Sequence, residues 1–152
     1  VVNGITLRHI YSHELEELLD LYKHLHRDDT ELAHDEKLST LLEEMLADRK
    51  MHILVIEKDQ VLVSSCVLAI IRNLTRGGRP YAIIENVVTH SDYRLKGLGQ
   101  AIIREALDIA WKNNCYKVML LTGRSDEGTL KFYENCGFVQ GVKTGFIAYP
   151  DE

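Results

Sequence analysis

The sequence predicts an α/β (α+β) fold on a mixed, mostly antiparallel sheet that contains one parallel strand–helix–strand unit. Three observations predict it. Two apolar runs, Met51–Glu57 and Val61–Ile71, are separated only by Lys58-Asp59-Gln60, the pattern of an antiparallel hairpin. A third apolar run, Ile83–Val88, leads through the polar break Thr89–Tyr93 into a basic, glycine-containing turn and then a long amphipathic segment ending near Trp111. A fourth, Cys115–Leu121, follows that segment, so its strand should lie parallel to the previous one with a right-handed crossover.

The elements can be justified in order. Ile5–Ile10 alternates and reads as a short strand. Ser12 is a suitable N-cap with Glu14, Glu16 and Glu17 in the first turn, and Leu15, Leu18, Leu19, Tyr22 and Leu25 follow at helical spacing to about His26. Arg27–Thr30 is a polar break, and Leu38, Leu41, Leu42, Met45 and Leu46 mark a second helix. His24 and His26, two residues apart on a helix, point in different directions, so with His34 they read as loop or solvated histidines ahead of a metal site. Arg72–Pro80 is a turn with three arginines and Gly77-Gly78, read first as a solubilising loop tip and second as a reach toward an anionic substrate.

The strand from Pro80 to Val88 contains Glu85 and Asn86 within Ile and Val. Alternation sets them on opposite faces, so one of them lies beside the core whichever face is buried. A buried carboxylate is costly unless it is paired or faces a cleft. Glu85 is therefore either half of a structural ion pair or a pocket carboxylate free to act as a base. After the long helix, whose apolar positions are Leu98, Ile102, Leu107 and Ile109, Asn113-Asn114 stop it. Thr129–Asn135 is a short helix with Gly137 suited to a left-handed C-cap, and Phe138–Tyr149 reads as the final strand.

Composition bounds the function. A chain of 152 residues that is 45% hydrophobic and 27% charged suits one soluble domain spanning 1–152. Net charge of -5 argues against a general nucleic-acid binder, which needs clustered Lys and Arg. Cys66, Cys115 and Cys136 are odd in number without metal-type spacing, and read as reduced thiols in a cytoplasmic protein with no metal. No apolar run has the length of a membrane span and no signal-peptide pattern opens the chain, so no membrane association is expected.

The turn Arg94-Leu95-Lys96-Gly97-Leu98-Gly99 carries the chemistry. A helix start presents unpaired N–H groups and partial positive charge, and glycines let a ligand's phosphates approach the backbone. The spacing is neither a Rossmann fingerprint nor a P-loop. Together with Asn86-Val87-Val88 upstream and Phe132-Tyr133-Glu134-x-x-Gly137-Phe138 downstream, the turn resembles the GNAT N-acetyltransferase superfamily over residues 81–138. Within it, NCYKVML followed by KFYENCGF is similar to glucosamine-6-phosphate N-acetyltransferases; Asn86 stands where such enzymes carry Asp, and Thr129 where they carry Asn.

The resemblance implies a GNAT fold with helices on both sheet faces, and acetyl-CoA as cosubstrate. It implies a pyrophosphate on the backbone of Leu95, Lys96, Gly97, Leu98, Gly99 and Gln100, with Arg94 and Lys96 supplying charge. Pantetheine would lie along Val87, Val88 and Thr89 where this strand and the next splay apart, with Thr129 and Tyr133 completing the coenzyme contacts. Aminolysis of a thioester needs a base, an oxyanion donor and an acid. Glu85 is the candidate base, the Val88 N–H the candidate donor, and Tyr133, a phenol with pKa near ~10, the candidate acid for the leaving thiolate. Without the resemblance Tyr133 would read as a core aromatic. Cys115 and Cys136 read as buried thiols ahead of acyl-carrying nucleophiles.

The leading function is acetyl transfer to the primary amine of a small molecule. A catalytically silent CoA-binding sensor and a protein (Lys or N-terminal) acetyltransferase are the alternatives. An apolar final strand, Phe138–Tyr149, is a candidate exposed edge for a homodimer.

Overall fold

Lys58-Asp59-Gln60 reverses the chain as tightly as its shortness demands. Asp59 and Gln60 both take positive φ, 51° and 68°, the pair of left-handed residues that a two-residue hairpin turn requires. The computed structural model that contains this hairpin describes residues 4–25 and 35–151. The chain divides into two compact units, Val1–Leu120 and Leu121–Glu152, taken here one at a time.

In the first unit, β1 (Ile5–His9), β2 (Met51–Lys58), β3 (Val61–Ile71), β4 (Tyr81–Thr89) and β5 (Val118–Met119) form one sheet in the order β1-β2-β3-β4-β5. The first three pairings are antiparallel and β4–β5 is parallel. Alternation gives each face its own core. On one face Ile53, Val55, Val67 and Val88 join Leu15, Leu18, Leu19 and Leu21 of α1 (Leu15–Tyr22) and Leu42 of α2 (Glu36–Ala47). On the other face, Cys66 is fully buried and its thiol reaches the carbonyl of Ile102 in α3 (Leu98–Lys112), at 3.9 Å. The buried stripe of α3 is Leu98, Ile102, Ile103, Ala106 and Ala110. Leu107 and Ile109, expected in that stripe, are only half-buried, because a 3.6-residue period favours the alanines.

The start of α1 also differs from expectation. Ser12 does not cap it. Ser12–Glu14 forms a 3-10 turn, and Glu14, which accepts from the Tyr11 N–H at 2.9 Å, closes a reciprocal cap on Tyr11. Arg8 of β1 fixes this corner, donating to both Glu14 oxygens at 2.7 and 2.9 Å and to Glu57 at 2.9 Å. The Arg8 guanidinium holds the Glu14 carboxyl below its ordinary range. Arg27–Thr30, His26 and His34 lie outside the described residues.

β4 is not a regular strand. Val67 pairs with Glu85 and Ser65 with Val88, so Cys66 alone faces both Asn86 and Val87. This β-bulge puts Asn86 at φ 52°. The left-handed region costs an ordinary side chain about 1–2 kcal/mol, and Asn is among the few that enter it readily. The extra residue answers the paradox of two polar residues in an apolar strand. Glu85 and Asn86 are both exposed, and Glu85 shares the α1 face with Val88 instead of opposing it.

In the second unit, Asp126 caps α4 (Glu127–Asn135) by accepting from the Thr129 N–H at 3.0 Å. The helix ends on Gly137, whose φ of 98° is the expected left-handed stop. The expected final strand does not form: residues 138–149 contain turns and irregular backbone but no strand. Val139, Val142, Phe146, Ile147 and Tyr149 are exposed, and Gly141 at φ 83° breaks extended geometry. The edge-strand argument for a dimer therefore lapses. β5 is likewise shorter than Cys115–Leu121, holding only Val118–Met119.

Candidate active site

β4 is paired to β5 only through Ala82–Val118 and Ile83–Met119, so its last residues extend past that partner. The orientation of the peptide groups there follows from three hydrogen bonds. The Ser64 hydroxyl donates to the Val88 carbonyl at 3.0 Å, and the His90 N–H donates to the Val63 carbonyl at 2.8 Å, so both point at β3. Trans peptides then turn the Thr89 N–H and C=O the other way. That carbonyl accepts from Arg94 Nε at 3.2 Å. Strand alternation gives the Val87 amide the same outward edge and keeps the Val88 N–H toward β3. The Val88 N–H, expected as an oxyanion donor, thus faces β3, while the Val87 and Thr89 N–H groups face outward.

Two buried serines support this edge. Ser64 and Ser65 are fully buried in β3. Ser64 Oγ also lies 3.0 Å from Thr89 Oγ1, and the Ser65 hydroxyl donates to the Leu54 carbonyl at 2.8 Å. Sequence reasoning passed over them, although two hydroxyls in an otherwise apolar strand were the available signal.

The loop after β4 is held from outside. The His90 side chain accepts from the Asp92 N–H at 3.1 Å and caps the 3-10 turn Ser91–Tyr93. Arg94 Nη2 reaches the His24 carbonyl at 3.3 Å, and the His24 and His90 rings lie 4.1 Å apart. His24, read as a loop histidine, thus ties α1 to this loop. Arg94 is engaged with two backbone carbonyls, so its charge reaches the turn from a fixed position. Among the described residues no group of three or more His, Cys, Asp and Glu could hold a metal ion.

The basic turn has the geometry its composition suggests. Leu95 is left-handed at φ 64° and fully exposed, and Gly97 is left-handed at φ 78°. Gly97 is the N-cap of α3 and supplies no capping side chain. The first intrahelical bond runs from the Ala101 N–H to the Gly97 carbonyl at 3.0 Å, so the Leu98, Gly99 and Gln100 N–H groups precede it. A Cβ on Gly97 would meet nothing within 4 Å, which leaves open space over this helix start. Lys96 and Lys58 both approach the Tyr93 ring, at 5.5 and 5.7 Å. Anion chemistry fits this turn: N–H groups, a helix N-terminus, nearby ammonium groups and, among the described residues, no atom within 4 Å of a Cβ placed on Gly97.

The Arg72–Arg79 loop lies at the other end of β4, roughly 25 Å along the strand from Thr89. Arg79 donates to the Asn114 and Cys115 carbonyls, each at 3.2 Å, and Arg76 lies over Tyr116 at 5.4 Å. These two arginines fasten the β3–β4 turn to the segment before β5. The three cysteines are buried thiols outside any disulfide, and burial pushes the Cys66 thiol up to about 12 and raises Cys115, which disfavours the thiolate an acyl carrier needs.

In the second unit, Tyr133 sits on α4 with its ring edge-on to Phe132 at 5.0 Å and to Phe138 at 6.2 Å. The Thr129 hydroxyl donates to the Asp126 carboxylate at 2.8 Å, so its proton serves the helix cap, and the hydroxyl keeps only acceptor capacity for a ligand.

Comparison with known proteins fits this geometry. The Acetyltransferase (GNAT) family pattern matches residues 15–138. A glucosamine 6-phosphate N-acetyltransferase of Trypanosoma brucei brucei is 44% identical over 77 residues, 51% of this chain and 50% of that protein, so the match spans about half the relative's length. A solved structure described as a putative acetyltransferase from Agrobacterium tumefaciens is 44% identical, with a TM-score of 0.89 over 95% of this chain and 99% of that one. A Trypanosoma brucei acetyltransferase structure is 30% identical, with a TM-score of 0.80 over 95% and 99% of the two chains.

Proposed function

The chain belongs to the GNAT acetyltransferase family, and we propose that it transfers the acetyl group of acetyl-CoA to the primary amine of a small molecule, both substrates bound together. One observation carries this reading: an uncapped, glycine-headed helix start follows, after one short loop, a strand whose outward amides have no strand opposite among the described residues. The first is suited to a pyrophosphate and the second to the amides of a pantetheine arm.

Acetyl-CoA supplies a thioester carbon open to attack by a neutral amine. This chain's residues have four tasks. Leu95–Gln100 bind phosphate oxygens through backbone N–H groups, with Lys96 adding charge. Val87 and Thr89 present N–H groups along the strand edge, where Val87 is the donor for the carbonyl oxygen as it gains negative charge. Glu85, exposed on the α1 face, takes the proton the amine releases, directly or through water. Tyr133 gives its phenolic proton to the departing thiolate. A carbon–nitrogen bond forms, the carbon–sulfur bond breaks, and the proton lost at nitrogen is balanced by the one gained at sulfur.

An amino-sugar phosphate is the first acceptor to test, given the names carried by relatives. The exposed apolar residues Val139, Val142, Phe146, Ile147 and Tyr149 support self-association as a homodimer, without the strand edge first expected. The experiment is thiol release from acetyl-CoA across a panel of amino sugars, polyamines and peptides. Release dependent on a small amine supports this function. Release only with peptides assigns a protein acetyltransferase, and tight CoA binding with no release assigns a sensor.

A further inference from the structure

We propose that His24 and His90 are positioning residues that form a paired imidazole cap on the loop leading into the phosphate turn. While both rings are neutral, their Nδ1 atoms hold the Ser91 and Asp92 N–H groups; a proton on either ring releases the loop and weakens acetyl-CoA binding. The binding consequence rests on the acetyl-transfer reading above, and the cap itself rests on the hydrogen bonds alone.

The loop begins where β4 ends. The Ser91 N–H donates to His24 Nδ1 at 3.5 Å, and the Asp92 N–H donates to His90 Nδ1 at 3.1 Å. The two rings lie 4.1 Å apart, tilted by 37°. His24 reaches the loop from just after α1, so the cap joins parts of the chain 67 residues apart. His90 is itself anchored: its N–H donates to the Val63 carbonyl of β3 at 2.8 Å, and its ring meets Tyr93 edge-on at 5.3 Å. Arg94 closes the corner on the Thr89 and His24 carbonyls. Leu95 and Gly97, both left-handed, then lead into α3. The cap therefore sets where the phosphate turn starts.

A histidine ring accepts a hydrogen bond only through an unprotonated nitrogen, and the imidazolium has two donors and no acceptor. Both bonds thus need neutral rings with the proton on Nε2. Protonating His90 fills the lone pair that the Asp92 N–H uses and sets one N–H against another. A replacement partner is at hand, because the Asp92 carboxylate lies 4.0 Å from His90 Nδ1. The ring then exchanges the backbone of Asp92 for its side chain, and the loop loses its hold. The charged groups around the pair are Asp92, Arg94 and, over the Tyr93 ring, Lys58 of β2 and Lys96. Beside His24, Lys23 pairs with Asp20 at 3.1 Å. The contact from β3 is the uncharged Val63 carbonyl.

The test compares acetyl-CoA binding by the wild type, His90→Ala and His90→Asn at about pH 8 and about pH 5.5, which bracket the range where an ordinary histidine takes up its proton. Both variants lose the ring contact with His24, but asparagine keeps a side-chain oxygen that caps the loop and does not titrate. At the higher pH, His90→Ala should bind roughly three- to thirtyfold more weakly than the wild type, the loss of one cap. His90→Asn should recover most of that loss. In both variants kcat at saturating acetyl-CoA should change by less than about twofold, because Glu85 and Val87 precede the loop. On acidification the wild type should lose roughly tenfold more affinity than His90→Asn, a comparison in which titration of the coenzyme's own phosphate cancels. Parallel pH profiles, or an asparagine variant no better than alanine, overturn the proposal. If the wild type binds no acetyl-CoA at either pH, the function proposed above fails instead, and hydrogen exchange at the Asp92 amide decides this inference. Protection lost at the lower pH in the wild type and kept in His90→Asn supports the cap; any other pattern refutes it.

Discussion

The Ser64 hydroxyl donates to the Val88 carbonyl at 3.0 Å, from a side chain that is itself fully buried in β3. This bond holds the peptide whose trans geometry turns the Thr89 N–H outward, together with the His90 N–H bond to the Val63 carbonyl. Ser64→Ala removes the donor and leaves a buried carbonyl without it, at a cost of about 1–3 kcal/mol. Urea denaturation should report that loss as a lower midpoint at unchanged slope. Acetyl-CoA affinity should fall with it, measured by titration calorimetry. A variant as stable as the parent, with the same affinity, would show that the Ser64 bond sets nothing.

Gly97 provides a second prediction. Its φ of 78° penalises any side chain, while a Cβ would touch no protein atom within 4 Å. Gly97→Ala should therefore cost only the backbone term, about 1–2 kcal/mol. Gly97→Val should cost stability similarly but weaken CoA binding further, because its branches occupy the space a phosphate needs. Equal CoA affinity in the parent and the valine variant would move the anion site elsewhere.

The legibility of this chain was uneven for physical reasons. The hairpin, the crossover and the glycine-headed helix could be read because each depends on neighbours in sequence. Lys58-Asp59-Gln60, Gly97 and Gly137 all sit where their local chemistry placed them. Asn86 was visible as an anomaly, but its meaning was not, since a bulge is defined by the partner strand. Ser64 and His24 act on β4 or the loop after it across 24 and 70 residues of chain respectively, and no local pattern reports such contacts. Residues 138–149 misled because β-branched and aromatic composition outweighed Gly141 and Gly145, yet strand formation needs a partner as well as propensity.

Tyr133 carries the catalytic prediction for the second unit. Tyr133→Phe keeps the aromatic contacts with Phe132 and Phe138 and removes only the proton. The rate of transfer should drop about 10²–10⁴-fold if the phenol protonates the leaving thiolate. Denaturation midpoints should barely change. A wild-type rate would remove Tyr133 from that role.

A pH dependence of stability follows from Glu14. Its folded value is lowered from 4.5 by the hydrogen bonds from Arg8, against the opposing effect of burial. A depressed carboxyl contributes its full stabilisation above the unfolded value and loses it as pH falls through the folded one. The protein should thus lose stability steadily below about pH 4.5. Glu14→Gln should flatten part of that decline while costing about 1–3 kcal/mol at pH 7. Parallel pH curves for the two proteins would contradict this account.

The most direct measurement is the mass of the product formed from acetyl-CoA and glucosamine 6-phosphate, read alongside thiol release. The account predicts acceptor-dependent thiol and an equal amount of N-acetylated amine, in both cases greatly reduced by Tyr133→Phe. If glucosamine 6-phosphate is inert, another small amine from the panel must take its place with the same stoichiometry. Tight CoA binding with no amine-dependent thiol release from any acceptor would contradict the central claim of acetyl transfer.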